Sequence, residues 1–214
     1  MDLPARRRRH ARLIAALTEL IGAAAEAAGA VYRPIAAAPP GQEAVEVSVL
    51  PCVQVSLAAG ALLDQARTED YARWPAAVAW ERTQAQRTYA ARCAVAQAEK
   101  YAAPAAPLGD QPRVPLPTAE QTAAMDLVSA GTEVATRWRA DPEEAVTLVH
   151  ELAASGELAV DEILDEALDT AVVAGLLVLL EARTAKDPST AAERCLGALP
   201  YITLAISLAS ADLD

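Results

Sequence analysis

A cluster of five prolines constrains the fold of this chain more than any other feature. Residues 103–117 read APAAPLGDQPRVPLP, and each proline removes a backbone hydrogen-bond donor and disfavours helical geometry at the residue before it. We therefore expect an extended connector here, with an ordered crossover inside a single bundle as the alternative. The sequence predicts a mainly helical region at 1–102, the connector at 103–117 and an acidic four-helix bundle at 118–214.

Apolar residues recur at helical spacing on both sides of the connector. They predict an amphipathic helix from about His10 to a stop at Gly29, and a long helix over 75–101. After the connector, Asp141-Pro142 and Asp187-Pro188 each place a capping acid before a proline at the first helical position. A further long helix is expected from about Val160 to Arg183. The predicted fold class is therefore all-α, mainly a helical bundle.

The segment 44–57 allows two interpretations. Valines alternate at positions 45, 47, 49, 53 and 55, which is the periodicity of a β-strand. Pro51 would confine such a strand to an edge or divide it into a short hairpin. A helix that begins at Pro51 and runs towards Arg67 is the competing prediction, because proline suits the first turn of a helix.

Composition indicates an alanine-rich bacterial protein from a high-GC genome, since Phe and Asn are absent and arginine far outnumbers lysine. Cys52, Cys93 and Cys195 lie far apart, and there are only two histidines. This pattern indicates neither a zinc site nor a disulfide framework, so we expect reduced thiols and a cytoplasmic location. No glycine-rich phosphate loop or complete catalytic motif occurs, and no cofactor or metal is predicted.

Charge is distributed unevenly along the chain, whose formal net charge is -11. Residues 1–101 carry 12 Lys+Arg against 10 Asp+Glu, whereas residues 102–214 carry 6 against 19. The acidic half should repel nucleic acid and anionic membranes. Two apolar runs, at 171–180 and 195–211, are too short or too interrupted to span a membrane, and we expect them to be central helices of the bundle.

The best candidate for chemistry is an acidic helical segment, DEILDEALD. Carboxylates on one helical face can hold magnesium for reactions of phosphorylated small molecules. Acids near a helix N-terminus also favour the helix dipole without any ligand, and these acids lie opposite the apolar side, so we expect a solvated face. The candidate catalytic residues are Asp161, Glu162, Asp165, Glu166 and Asp169.

The head of the chain reads ARRRRHAR. A secretion signal is not predicted, because the apolar run after the arginines is cut short by Thr18 and Glu19. Cations at a helix N-terminus oppose its dipole, so we expect a frayed leader that binds an acidic protein surface, on this molecule or a neighbour, with nucleic acid as the second choice. The residues expected to contact that partner are Arg6, Arg7, Arg8, Arg9 and Arg12.

Trp74 and Trp80 are expected to anchor the fold or a partner interface, because aromatic side chains supply most of the contact area in an alanine-rich region. No motif identifies a family. The function expected from the sequence is that of a non-enzymatic helical protein that docks a protein partner or self-associates. A magnesium-dependent enzyme using the 161–169 carboxylates and a nucleic-acid-binding protein using the arginine-rich head are the alternatives.

Overall fold

A computed structural model describes residues 3–39, 46–68, 119–155 and 158–211. Within these ranges the fold is all-α, as predicted, and contains no strand. A short 3-10 turn at Ala182–Thr184 joins the last two helices. The helices are α1 (Leu3–Ala37), α2 (Leu50–Thr68), α3 (Ala119–Ala140), α4 (Pro142–Ser155), α5 (Val160–Glu181) and α6 (Pro188–Ala209).

The chain divides into two compact units. The first comprises residues 1–66 and 126–214, so helices from both sides of the proline-rich stretch share it. The second comprises residues 67–125, of which only the adjoining ends of α2 and α3 are described. The predicted connector at 103–117 and the helix predicted over 75–101 lie outside the described residues. The division into 1–102, 103–117 and 118–214 stays a prediction.

Helices α1, α5 and α6 form the centre of the first unit. α6 packs against both α5 and α1, and α4 packs against α5. Tyr32 near the end of α1 donates a hydrogen bond to the carbonyl of Ser189 at the start of α6, so these two helices run antiparallel. The core consists mainly of aliphatic side chains, and its largest fully buried members include Leu17, Ile163, Leu168, Leu176, Leu179 and Ile202.

Two glycines allow helices to approach closely. A Cβ atom added at Gly131 of α3 would lie 2.6 Å from Cγ of Glu166 on α5. One added at Gly175 of α5 would lie 2.7 Å from Cγ1 of Ile202 on α6. Both distances are shorter than carbon atoms tolerate, so these packing arrangements require a residue without a side chain.

The helix starts predicted at Asp141 and Asp187 are confirmed. The Asp141 carboxylate accepts hydrogen bonds from the backbone N–H groups of Glu143 and Glu144, at 2.9 and 3.2 Å. The Asp187 carboxylate accepts from the backbone N–H of Thr190 at 2.9 Å. These contacts satisfy donors that the first turn of a helix leaves without intrahelical partners.

Three local expectations are corrected. The segment 50–57 is not a strand but the first part of α2, and the competing helix prediction holds; residues 46–49 precede it without regular structure. Gly29 does not end the first helix, which continues to Ala37 with Pro34 inside it. The arginine-rich head is not a frayed leader, because α1 already begins at Leu3 and Arg6 forms an ion pair with Asp165.

The two apolar runs at 171–180 and 195–211 lie in α5 and α6. About half of the residues in 171–180 are buried and the rest are half-buried, whereas 195–211 also has exposed residues, so its whole circumference is not buried. Among the described helices, α1 from Arg6 to Ala37 has the length and hydropathy to cross a membrane, and a third of its most apolar window is buried. Core helices and signal sequences share those two properties. The absence of a membrane partner and the cytoplasmic location stay predictions.

Candidate functional site

The arginine-rich head and the acidic segment, the two strongest charge features of the sequence, meet in the fold. The Arg6 guanidinium lies 3.0 Å from Oδ1 of Asp165, and Nη2 of Arg9 lies 3.7 Å from Oδ1 of Asp169. Nε2 of His10 lies 3.5 Å from the same Asp165 oxygen. We call these five residues the arginine–aspartate cluster. It joins the first turns of α1 to the first half of α5.

Helical spacing explains which head residues take part. Arg9 and His10 follow Arg6 by three and four positions, so they share one face of α1 with it, and that face continues into the buried Leu13. Arg7, Arg8 and Arg12 are exposed, and a shallow cleft on this outer side is lined by Arg8, Ala11 and Arg12. The structure therefore turns two of the five predicted arginines towards α5.

The arginine–aspartate cluster is largely shielded from water. The side chains of Asp165 and Asp169 are 21% and 12% exposed, and those of Arg6 and Arg9 are 20% and 19% exposed. Burial by itself raises the pKa of Asp165, but the nearby His10 ring and the charges of Arg6 and Arg9 outweigh it, so the pKa is lowered. The Asp165 carboxylate is thus held in its charged form.

The other three predicted carboxylates have different surroundings. The Asp161 side chain is exposed, and only its backbone carbonyl accepts a hydrogen bond from Arg6, at 3.5 Å. The Glu162 carboxylate accepts from the backbone N–H of Ala159 at 3.4 Å, which caps the start of α5. Glu166 is only 5% exposed and packs against Gly131 of α3. The expected solvated face is therefore wrong for Glu166 and Asp169, because other helices cover them.

The arginine–aspartate cluster is suited to ion pairing that holds α1 and α5 together. A divalent cation at Asp165 would have to displace the guanidinium of Arg6, which forms a short charge-assisted hydrogen bond there. Within the described ranges, no group of three or more His, Cys, Asp or Glu side chains is arranged to hold a metal ion. The geometry offers the carboxylates an ion-pair role between two helices.

A second feature is two buried cysteines that lie far apart in the sequence, where nothing suggested that they would be related. Cys52 on α2 and Cys195 on α6 are both fully buried, and each thiol affects the pKa of the other. Burial raises the pKa of both thiols, and that of Cys195 reaches about 12.

A third feature is an apolar surface on α2. Leu50 and Leu57 are each 58% exposed, the two most exposed large apolar side chains among the described residues. They are seven residues apart, or about two helical turns, so they share one face. The exposed residues Gln54, Ala58 and Ala61 lie around them. We call this surface the α2 outer face.

The predicted partner anchors Trp74 and Trp80 lie outside the described residues. Trp138, which the sequence did not single out, is a core residue of α3. Its indole N–H donates a hydrogen bond to Oγ of Ser207 on α6 at 3.0 Å, and it is 7% exposed. It joins α3 to α6.

Comparison with protein-family models found no matching family, and comparisons with curated proteins and with solved structures found no significant match.

Proposed function

We propose that this protein is a non-enzymatic helical assembly protein that associates with a second copy of itself through the α2 outer face. The observation that carries the proposal is the exposure of Leu50 and Leu57 on one face of α2. The opposite face of the same helix is buried through Cys52, Val55 and Ala59. A monomer gains nothing from leaving two leucines more than half exposed, whereas an interface would remove them from water.

Charge favours a second copy as the occupant of the α2 outer face. No charged residue occurs from position 47 to position 63, although 22% of the chain is charged and its net charge is -11. Two copies repel one another through most of their surfaces, and that repulsion is weakest where both are uncharged. A two-fold symmetric contact brings the same patch together from both copies, so an uncharged face with two leucines is self-complementary.

The two alternative functions have less support. In a magnesium enzyme, Asp165 and Asp169 would have to be available to a metal, but they form ion pairs with Arg6 and Arg9. In a nucleic-acid-binding protein, the head would have to present its full charge, but the same two arginines are directed at α5. Arg8 and Arg12 remain exposed for an anionic partner. Ion pairs that hold two helices of the same chain together are more consistent with an assembly protein than with a magnesium enzyme or a nucleic-acid-binding protein.

The experiment is a comparison of molar mass by sedimentation equilibrium for the native chain and the double variant Leu50→Glu/Leu57→Glu. Four leucines leave water in a symmetric contact, so the association constant of the variant should fall by at least about 100-fold. Leu196→Glu is the control, because it places a glutamate, one instead of two, at a leucine of α6 that is 41% exposed. The control should associate like the native chain. Equal loss in the control and the double variant would contradict the proposed face.

A further inference from the structure

Two arginines in the first turns of α1 have no acidic partner in the described part of the chain. Arg8 and Arg12 are exposed, and neither forms a hydrogen bond or an ion pair with a described residue. Arg6 and Arg9, by contrast, are held by the aspartates of the arginine–aspartate cluster. Arg8 and Arg12 are therefore the pair that an anionic group from outside can reach.

Helical spacing places Arg8 and Arg12 on one surface. Residues four positions apart lie on the same side of a helix, about 6 Å apart along its axis. Pro4, Ala11 and Ala15 are exposed around the two arginines, and the shallow cleft is lined by Arg8, Ala11 and Arg12. We call these five residues the α1 outer face. Because the side chain of Ala11 is only a methyl group, it leaves both guanidinium groups accessible.

The α1 outer face is complementary to a pair of closely spaced carboxylates. A guanidinium group binds a carboxylate through two parallel N–H donors. Two acidic residues one turn apart on a partner helix have the same spacing of about 6 Å as Arg8 and Arg12. Small molecules usually bind in concave pockets that cover most of their surface, whereas this cleft is shallow. The shape therefore favours contact with a protein segment.

Nucleic acid fits the α1 outer face less well. Its proline and alanines provide no aromatic ring for stacking and no side-chain donor that could read a base edge. A long polyanion would also meet the acidic half of the chain, where residues 102–214 carry 6 Lys+Arg against 19 Asp+Glu. Repulsion beyond about 8 Å is largely screened at physiological salt, so a short acidic segment avoids most of it.

We propose that the α1 outer face is a docking site for an acidic helical segment of a protein partner, whose carboxylates one turn apart contact Arg8 and Arg12. The arginine–aspartate cluster on the other side of α1 keeps the head helical and so fixes the spacing of the two guanidinium groups. The α1 outer face shares no residue with the α2 outer face, so this site is independent of the self-association proposed above.

The test measures binding of a fluorescein-labelled, alanine-based helical peptide to the full chain by fluorescence anisotropy at about 0.1 M salt. The peptide carries two pairs of glutamates at i and i+4 on one face. Binding to Arg8→Gln/Arg12→Gln should be at least about 5-fold weaker than to the native chain, because both ion pairs are lost. The matched control is Arg33→Gln/Arg183→Gln, which removes the same charge at two exposed arginines outside the α1 outer face. The control should bind within about 2-fold of the native chain.

Three results would overturn the proposal. The native chain fails to bind the peptide, the control loses as much affinity as Arg8→Gln/Arg12→Gln, or a single-stranded oligonucleotide of equal charge binds more tightly than the peptide. A permuted peptide with the same glutamates spread around the helix should bind more weakly, since its carboxylates no longer match the two arginines. Circular dichroism and sedimentation equilibrium should show that Arg8→Gln/Arg12→Gln keeps the helical content and the self-association of the native chain.

Discussion

The guanidinium of Arg6 donates a hydrogen bond of 3.0 Å to the carboxylate of Asp165, a residue 159 positions further along the chain. This contact brings the most basic segment of the sequence onto its most acidic helix. Opposite charges next to the N-terminus of α1 also offset the unfavourable interaction of its arginines with the helix dipole. The ion pair therefore explains why α1 is helical from Leu3 onwards.

Asp165→Asn should lower the free energy of unfolding by about 1 to 3 kcal/mol, because Arg6 and His10 would then face a neutral amide in a mostly buried site. Urea denaturation followed by circular dichroism measures the change. The matched control is Asp161→Asn, whose side chain is exposed and which contacts Arg6 only through its backbone carbonyl. The control should stay within about 0.5 kcal/mol of the native chain. Equal effects of the two substitutions would refute the role assigned to the cluster.

The stability should depend on pH through the same carboxylate. The pKa of Asp165 is lower in the folded chain than in the unfolded chain, so the folded state binds its proton less readily. Its contribution to the free energy of unfolding is present above about pH 4, where an unfolded aspartate is ionised, and is lost as the pH falls through the lowered folded pKa. Asp165→Asn should therefore lose less stability than the native chain on acidification.

Urea midpoints measured from neutral pH down to about pH 2 test this difference. The variant should retain part of the acid dependence, because hydrogen bonds from the backbone and side chain of Thr190 also lower the pKa of Asp187. Native and variant curves that run parallel over the whole range would show that Asp165 does not contribute.

Gly131→Ala should destabilise the fold by about 1 to 3 kcal/mol, because the new methyl group would force α3 away from Glu166 on α5. Gly22→Ala is the matched control in α1. Apart from the neighbouring residues and backbone of its own helix, no atom lies within 4 Å of its added Cβ, so the higher helix propensity of alanine should raise stability by up to about 1 kcal/mol. Thermal and urea unfolding of both variants measure whether each substitution lowers or raises the free energy of unfolding. A neutral or stabilising Gly131→Ala would contradict the close approach of the helices.

The helix boundaries that the sequence predicted correctly are those fixed by nearby atoms. Asp141 and Asp187 cap helices through backbone groups two or three residues away, so a short segment of sequence is enough to predict these caps. The segment 44–57 is different, since its valines suit a strand and Pro51 suits a helix. Packing of Cys52, Val55 and Ala59 into the core favours the helix, because only helical spacing places these three residues on the same side.

The candidate sites were only partly predictable. Helical periodicity correctly placed the 161–169 acids on one arc, and charge alone suggested that the arginines would bind an acidic surface. The burial of Glu166 and Asp169 could not be deduced, because the covering residues belong to other helices. The mutual effect of Cys52 and Cys195 on their pKa values could not be deduced either, as the spacing of cysteines along a chain carries no information on tertiary proximity.

The most direct test of self-association through the α2 outer face is the molar mass of the native chain as a function of concentration at low and high salt. Copies with a net charge of -11 repel one another, and salt screens that repulsion without weakening an apolar contact. We expect a monomer–dimer equilibrium that shifts towards dimer as salt rises. A monomer at every concentration and salt, or a dimer that dissociates as salt is added, would contradict it.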